Sequence, residues 1–526
     1  MNKVNKHNTY NTIYHWQSFR LKLIIEGIIV GALTGLLIVS YRITLEEADQ
    51  LRQKISLAQL QNYKLIPIWF IILILGAYIV GLMVKKEPMI KGSGIPQIEG
   101  VLQRRLSMNW LSVIILKFIG GTIALGAGLS LGREGPSIQL GGAVGQGFSK
   151  VLKRIKIEEK YLITSGASAG LAAAFNAPFA GVMFALEEVH KHFSPLVLLS
   201  AMAASLTSDF ISKHFFGLKP VLNIQHISSL PLNSYGYIIL LGIIVGVFGV
   251  IYNSTLLRTL NIYDKKMGIP VQYKLMIPFV MAGVLLFILP QVLGGGHALI
   301  DLLIEGSFTM KMLIIILIVK FTFSMISFGS GAPGGIFFPL LVIGALTGAI
   351  YGNVLVHFFS FSPEFINNFI ILAMAGYFTS IVRAPITGII LITEMTGSFT
   401  HLLSLSIVSI TAYIVADLLK SEPIYEALLK RQLRKDKCEL TGSSKNKIIL
   451  EIPVFLGSEM DGKMIKDLSL STDCLLVGIR RGEDEIIPKG NTFIYSGDYL
   501  IVLVDENKAA TINKELLKLG GTSRSI

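Results

Sequence analysis

The sequence predicts an all-α polytopic membrane protein with two related halves of interrupted helices, followed by a small α+β domain. Three observations carry this reading. The chain is short of charge for its length, it contains a series of long apolar runs, and it repeats itself at a spacing close to 203 positions.

Of 526 residues, 52% are hydrophobic and only 15% charged, with a mean hydropathy of +0.62. A soluble chain carries about a quarter of its residues as charges. The net charge of +13 does not signal a nucleic-acid partner. From Thr441 onward 11 Lys+Arg face 12 Asp+Glu, so the basic excess belongs to the first 440 residues. Spread over short loops of a membrane domain, it is the usual cytoplasmic-side bias and not a phosphate-binding stripe. Two cysteines, Cys438 and Cys474, stand in no pairing or metal-binding pattern, which excludes a disulfide scaffold. No cleaved signal is expected. The start is basic (Lys3, Lys6, Arg20, Lys22), but the first apolar stretch contains Glu26 and no small-residue cleavage site follows.

Residues 65–84 form an uncharged run of 20, long enough to span a bilayer core. Further runs cover 161–186, 235–257, 275–293 and 335–356, while 313–319 and 384–393 are too short to span alone. The expected organisation is an N-terminal segment (1–20), a membrane domain (21–430), a polar connector (431–447) and a small domain (448–520). The last is read as strands at 448–455, 474–479 and 499–504, separated by Gly482, Gly490 and Ser496-Gly497-Asp498.

Within the membrane domain, an ungapped shift of 203 aligns 115–145 with 318–348. It pairs Lys117 with Lys320, Gly132 with Gly335, Pro136 with Pro339, Gly141 with Gly344 and Gly145 with Gly348. A shift of 207 pairs Ala177-Pro178, Gly181 and Glu187 with Ala384-Pro385, Gly388 and Glu394, and a shift of 202 pairs Gly92, Gly94 and Glu99 with Gly294, Gly296 and Asp301. Three anchors in one order imply a duplication, with halves of about 21–216 and 235–419. Repetition alone leaves open whether the halves are parallel or inverted.

Glycine- and proline-interrupted segments at matching places in two halves point to a midplane transport site. Broken helices survive there only where they line a cavity. Their N-termini offer free N–H groups and partial positive charge, which suit a small anion. Glu134, in Gly132-Arg133-Glu134-Gly135-Pro136, starts such a helix. Ionised, it competes with an anion for that place, and protonation releases it. The alternative is an Arg133–Glu134 pair at the interface. Glu187 and Glu188 follow an uncharged stretch, and adjacent helical residues point about 100° apart. Glu187 matches Glu394, which suggests a structural duty common to both halves. Glu188 has no counterpart and is the better proton-pathway candidate; the alternative is an ordinary interfacial glutamate. Ser93 is equally readable as an anion ligand or as a turn or N-cap serine; Tyr425 reads more readily as a membrane-belt residue than as a ligand; and snorkelling or a buried pair explains Lys117 and Lys320 as well as a functional role does. No His/Cys/carboxylate group has metal or catalytic-triad spacing, so neither an enzyme nor a metal site is expected.

Taken together, Gly92-Ser93-Gly94-Ile95-Pro96, Gly132-Arg133-Glu134-Gly135-Pro136, Gly335-Ile336-Phe337-Phe338-Pro339 and Pro423-Ile424-Tyr425 resemble the filter motifs of the CLC family of chloride channels and proton/chloride exchangers. The resemblance runs from about 21 to 430. It implies an inverted repeat of broken, tilted helices, a homodimer in the cell membrane with both termini cytoplasmic, and bound chloride ions without another cofactor. It implies that Ser93 and Tyr425 hydroxyls and the Ile336 and Phe337 amides surround the anion. Glu134 is then the outer gate and proton-transfer group, and Glu188 the inner one. Two such acids resemble the exchangers more than a passive gated chloride channel, the alternative. Phe338 departs from the family's frequent alanine. The tail resembles the C-terminal domain of TrkA/RCK proteins, through Gly462-Lys463 before a helix, Val477-Gly478-Ile479-Arg480-Arg481-Gly482, Ile487-Pro488 and Ser496-Gly497-Asp498. That implies a dimerising module, with or without a small-molecule or cyclic-dinucleotide ligand. Arg480 and Arg481 are alternatively a solvated turn.

Overall fold

The computed structural model describes residues 6–191, 193–218, 220–222, 229–266, 268–435, 447–468, 470–482, 484–505 and 508–521. It divides into two compact units, Met1–Gln432 and Leu433–Ile526.

The first unit is helical throughout. Its first half holds α1 (Lys6–Gln61), α2 (Leu65–Lys86), α3 (Ile95–Leu102), α4 (Trp110–Gly126), α5 (Glu134–Val151), α6 (Lys156–Phe175), α7 (Pro178–Phe184) and α8 (Pro195–Phe216). The second holds α9 (Tyr235–Asn261), α10 (Val271–Lys274), α11 (Met276–Ile288), α12 (His297–Ile304), α13 (Met310–Gly329), α14 (Phe337–Phe359), α15 (Ile366–Val382), α16 (Pro385–Thr396) and α17 (Leu402–Leu418), and α18 (Ile424–Lys435) begins in this unit and runs past its last residue. Among the described residues, eight helices are long and apolar enough to cross a membrane. Others, such as α3, α7 and α12, are too short.

The breaks correct three boundaries. The run 161–186 is not one helix: Asn176 closes α6 in the left-handed region (φ 54°), Pro178 opens α7, and Ala185–His190 form a π-helical turn. A proline cannot supply the N–H that would continue α6. Arg42 satisfies the end of α6, donating to the Ala173 carbonyl (2.7 Å) and to Asn176 Oδ1 (2.9 Å). The run 275–293 stops at Ile288, two residues before Pro290. Residues 431–435 belong to α18 and not to a connector, because Arg431 is pinned by Asp264 Oδ2 (2.5 Å) and Asn261 Oδ1 (2.5 Å). At the other end α1 already includes residues from Lys6. Cys438 and Gly442 to Ser444 lie outside the described residues.

The repeat reappears as reciprocal contacts. Glu187 accepts from the backbone N–H groups of Ile386 (3.3 Å) and Thr387 (2.8 Å), at the start of α16. Glu394 accepts from those of Phe179 (3.1 Å) and Ala180 (2.8 Å), at the start of α7. Each half thus caps the other with a carboxylate on a helix N-terminus, where the dipole favours it. Gly132 and Gly335 exchange both backbone hydrogen bonds (2.7 and 2.8 Å) with opposed chain directions. Mutual exchange of this kind is the mark of a two-fold relation. The duplicated halves are thus related by an approximate two-fold. The repeated glycines also gain a reason. A Cβ at Gly141 or Gly145 would strike the backbone of α6, and one at Gly344 or Gly348 the backbone of α15. Small residues let these helices meet closely without a hydrophobic drive between them.

Lys117 and Lys320 neither snorkel nor pair with acids. Both are fully buried. The Lys117 ammonium donates to the carbonyls of Ile90 (2.9 Å) and Gly92 (2.6 Å), and that of Lys320 to those of Val292 (2.9 Å) and Gly294 (2.8 Å). Each lysine ties down the loop ahead of a short helix, α3 or α12, satisfying carbonyls that lipid could not.

The second unit is a four-stranded antiparallel sheet in the order β1-β4-β2-β3, from β1 (Lys447–Pro453), β2 (Cys474–Arg481), β3 (Asp484–Ile486) and β4 (Asp498–Asp505). With α19 (Ala509–Leu519) it buries Ile452, Ile479, Leu500, Val502 and Leu516. Only a 3-10 turn, Ile465–Asp467, follows Gly462-Lys463 where a helix was expected. Arg480 and Arg481 end a strand instead of forming a solvated turn. Arg480 pairs with Glu451 (2.8 Å), and Arg481 grips Asp498 in bidentate fashion (2.8 Å for both bonds).

Burial opposes the charge on Asp498, but Arg481 and the Tyr495 N–H outweigh it and hold the carboxyl below the usual aspartate range. A depressed folded-state value gives stability above the unfolded pKa of about 4, lost as pH falls through the folded value. Asp498→Asn is therefore expected to weaken this unit by about 2 kcal/mol near neutral pH. Hydrogen exchange of β4 amides in the intact chain checks this: the gap from wild type should close below about pH 4, and a pH-independent gap would dismiss the ion pair.

Candidate functional site

Four helices begin at one place in the first unit. Gly94, left-handed at φ 97°, leads into α3; α5 begins at Glu134, α14 at Phe337 and α18 at Ile424. The first N–H groups of each have no partner inside their own helix. The Gly132–Gly335 bridge joins the starts of α5 and α14, and Gly334 N–H donates to the Gly92 carbonyl (3.0 Å), which brings in α3. The Ser93 hydroxyl lies against the Cα of Gly135, where any side chain would displace it. Phe184 links the last start, meeting Phe337 and Tyr425 edge-on at centroid distances of 5.7 and 6.3 Å. Phe337 also packs on Phe175 and Phe378. The sequence motifs are thus brought together, with Ile95, Pro96, Pro136 and Pro339 in the opening turns.

Inside this apolar frame two polar atoms stand alone. Ser93 Oγ and the Tyr425 hydroxyl are buried without a hydrogen-bond partner, and the fully buried Glu134 carboxylate meets only backbone N–H groups, its own and that of Phe338. A buried polar group without a partner costs about 1–3 kcal/mol. Two such hydroxyls beside helix N-termini leave polar capacity unused there. Tyr425 is fully buried and is no belt residue; Ser93 caps nothing, since Gly94 holds the cap position. The proposed Arg133–Glu134 pair is also absent among the described contacts. Arg133 reaches outward to Glu46 (3.8 Å), and the Glu134 carboxylate folds back over the Cα of Gly132. Phe338 is buried and lies on His297, with ring centroids 3.6 Å apart.

Glu188 lies apart from these motifs, on the π-helical turn, 4% exposed and with Oε1 unpaired. It is not an ordinary interfacial glutamate. Extra-residue turns of this kind are frequent at functional sites. Tyr425 lies within electrostatic reach of both Glu188 and Glu134. Sequence reasoning missed three residues here: Phe184, and the pair Lys191 and Glu426, which meet at 2.5 Å across 235 positions. The available signal was adjacency, since Lys191 is three residues beyond Glu188 and Glu426 one beyond Tyr425.

Residues 76–417 match the family model described as voltage gated chloride channel, and residues 449–517 match the TrkA-C domain. The chain is 36% identical over 426 residues to the H(+)/Cl(-) exchange transporter ClcA of Yersinia pestis, covering 79% of this chain and 89% of the relative. It is 34% identical over 436 residues to the same-named transporter of Salmonella paratyphi A, covering 81% and 92%. Among solved structures, a slow cyanobacterial Cl-/H+ antiporter superimposes with a TM-score of 0.75 at 30% identity, covering 78% of this chain and 98% of the other.

Proposed function

We propose that this chain, which belongs to the voltage gated chloride channel family, is a proton-coupled chloride antiporter of the cell membrane. One observation carries the reading: two buried carboxylates, Glu134 among the helix N-termini and Glu188, with an unpaired oxygen, within electrostatic reach of Tyr425. A single acid at the anion site suffices to gate an anion. A second, placed off the anion motifs and without the helix-capping contacts of Glu187 and Glu394, fits protons that travel separately.

In this reading Ser93, Tyr425 and the N–H groups of Ile336 and Phe337 hold chloride. Glu134 occupies the neighbouring anion position when charged and leaves it when protonated, while Glu188 exchanges protons with the inner side. A homodimer with cytoplasmic termini, and a small ligand or cyclic dinucleotide on the TrkA-C unit, belong to the same proposal. The test is flux from proteoliposomes with chloride and pH recorded together. Uphill proton movement driven by a chloride gradient is expected, and chloride flux without it would favour a passive channel.

The anion ligands are tested by Ser93→Ala with Tyr425→Ala. Hydrogen bonds to a charged group are worth about 1.5–3 kcal/mol each, so even with the backbone amides still in place the expected loss is at least about tenfold in chloride affinity by calorimetry. Wild-type affinity in the folded double variant would remove both hydroxyls from the site.

A further inference from the structure

Directly after the π-helical turn the chain reverses at Lys191, which sits in the left-handed region at φ 55°. A side chain with a Cβ adopts that conformation at a cost of about 1–2 kcal/mol. The reversal carries the ammonium to two other elements. It meets Glu99 Oε1 on α3 at 3.0 Å and Glu426 Oε1 on α18 at 2.5 Å. Glu99 is 2% exposed, also accepts from Gln103 Nε2 (3.0 Å), and keeps its second oxygen buried and unpaired. Glu426 and Lys191 have side chains 37% and 28% exposed, so the bridge runs from solvent to the interior.

Glu188 lies within reach of the same ammonium, yet its Oε1 is left unpaired. The ionisable groups within electrostatic reach of it are Lys191, Glu99, Glu426, Glu187 and Tyr425. Glu187 is committed to the start of α16, and His190 meets Thr164 Oγ1 through Nδ1 (2.9 Å). One cation is therefore shared among three carboxylates, and the two that hold it are not the proton-pathway acid. Opposite charge at close range favours the ionised form of a carboxylate. If Lys191 turned to Glu188, that acid would give up its proton readily and recover it poorly.

We propose that the Glu426–Lys191–Glu99 bridge is a cation clamp that keeps Lys191 from pairing with Glu188, and so sets the pH range over which Glu188 passes protons. Lys191 and Glu426 are positioning residues and carry no proton themselves. Because Glu426 follows Tyr425 on the same helix start, a shift of α18 moves an anion ligand and the clamp together. The inference rests on the exchange reading above.

The test is chloride-driven proton movement in proteoliposomes, measured against pH on the side that Glu188 faces. Glu426→Gln removes a negative charge and frees Lys191 toward Glu188, so the midpoint should move about one pH unit to acid. Lys191→Met removes the cation and should move it a similar distance to alkali. Glu426→Asp, which can still hold the ammonium, should restore most of the wild-type profile. Opposite displacement by two variants of one bridge is not what loss of structure produces. Equal loss of rate in both variants with an unmoved midpoint would assign the bridge to structure and overturn the clamp. Unchanged profiles would overturn it as well, while uphill proton movement by the wild type kept the exchange reading intact. A wild type without uphill proton movement would instead defeat the exchange reading itself.

Discussion

Glu134→Gln is expected to leave a protein that moves chloride but no longer moves protons against their gradient. The reason lies in where the carboxylate sits. It is fully buried, folds back over Gly132, and meets backbone N–H groups, its own and that of Phe338 in the first turn of α14. A negative group among helix N-termini is favoured in the way a bound anion is. A neutral side chain loses that attraction, so the amide stands permanently for the protonated, displaced state. Chloride should then pass without waiting for a proton, and the coupled proton flux should fall to background. Recording chloride and pH from the same vesicles checks both halves of the statement. Retained proton pumping by the variant would move the outer proton step to another group. Complete loss of chloride flux from well-folded protein would make Glu134 an anion ligand instead of a gate.

How much of this could be read beforehand depends on the range over which each signal acts. Gly94, Pro136, Pro178 and Pro385 mark breaks because their effects are local: a left-handed turn, a missing N–H or a first-turn position is written in the residue itself. The duplication extended that legibility, since Glu187 and Glu394 could be matched before their reciprocal capping was known. The roles of Arg42 and Lys191 were not legible. Arg42 finds Ala173 and Ser212 at separations of 131 and 170 positions, and Lys191 finds Glu426 at 235. A long basic side chain reads the same whether it ends in solvent or in a buried contact, and only the fold decides. The run 161–186 reads as continuous because it carries no charge, which passes over the local signal of Pro178 inside it; Asn176, left-handed just before, gives no such signal in its composition.

The two neighbouring glutamates give the sharpest separation of roles, because one covalent change at adjacent positions should have opposite signatures. Glu188→Gln should keep chloride binding and passive chloride movement, since it lies off the four helix starts, yet abolish uphill proton movement. Its carboxylate is buried with an unpaired oxygen and no backbone N–H contact that would need a charge for structure. Glu187→Gln should do the reverse. That carboxylate accepts from two backbone N–H groups and from the Thr387 hydroxyl (2.7 Å), and with Glu394 it fastens the two halves. An amide can accept some of these bonds but supplies no charge to the start of α16. The expected cost is about 1–3 kcal/mol, the range for a charge-assisted bond, with coupling preserved in the protein that remains folded. Thermal unfolding in detergent and the proton/chloride ratio in vesicles, measured on both variants, decide the matter. If Glu188→Gln pumps protons at the wild-type ratio, the inner relay lies elsewhere. If Glu187→Gln is as stable as wild type but uncoupled, the roles of the two residues have been assigned the wrong way round.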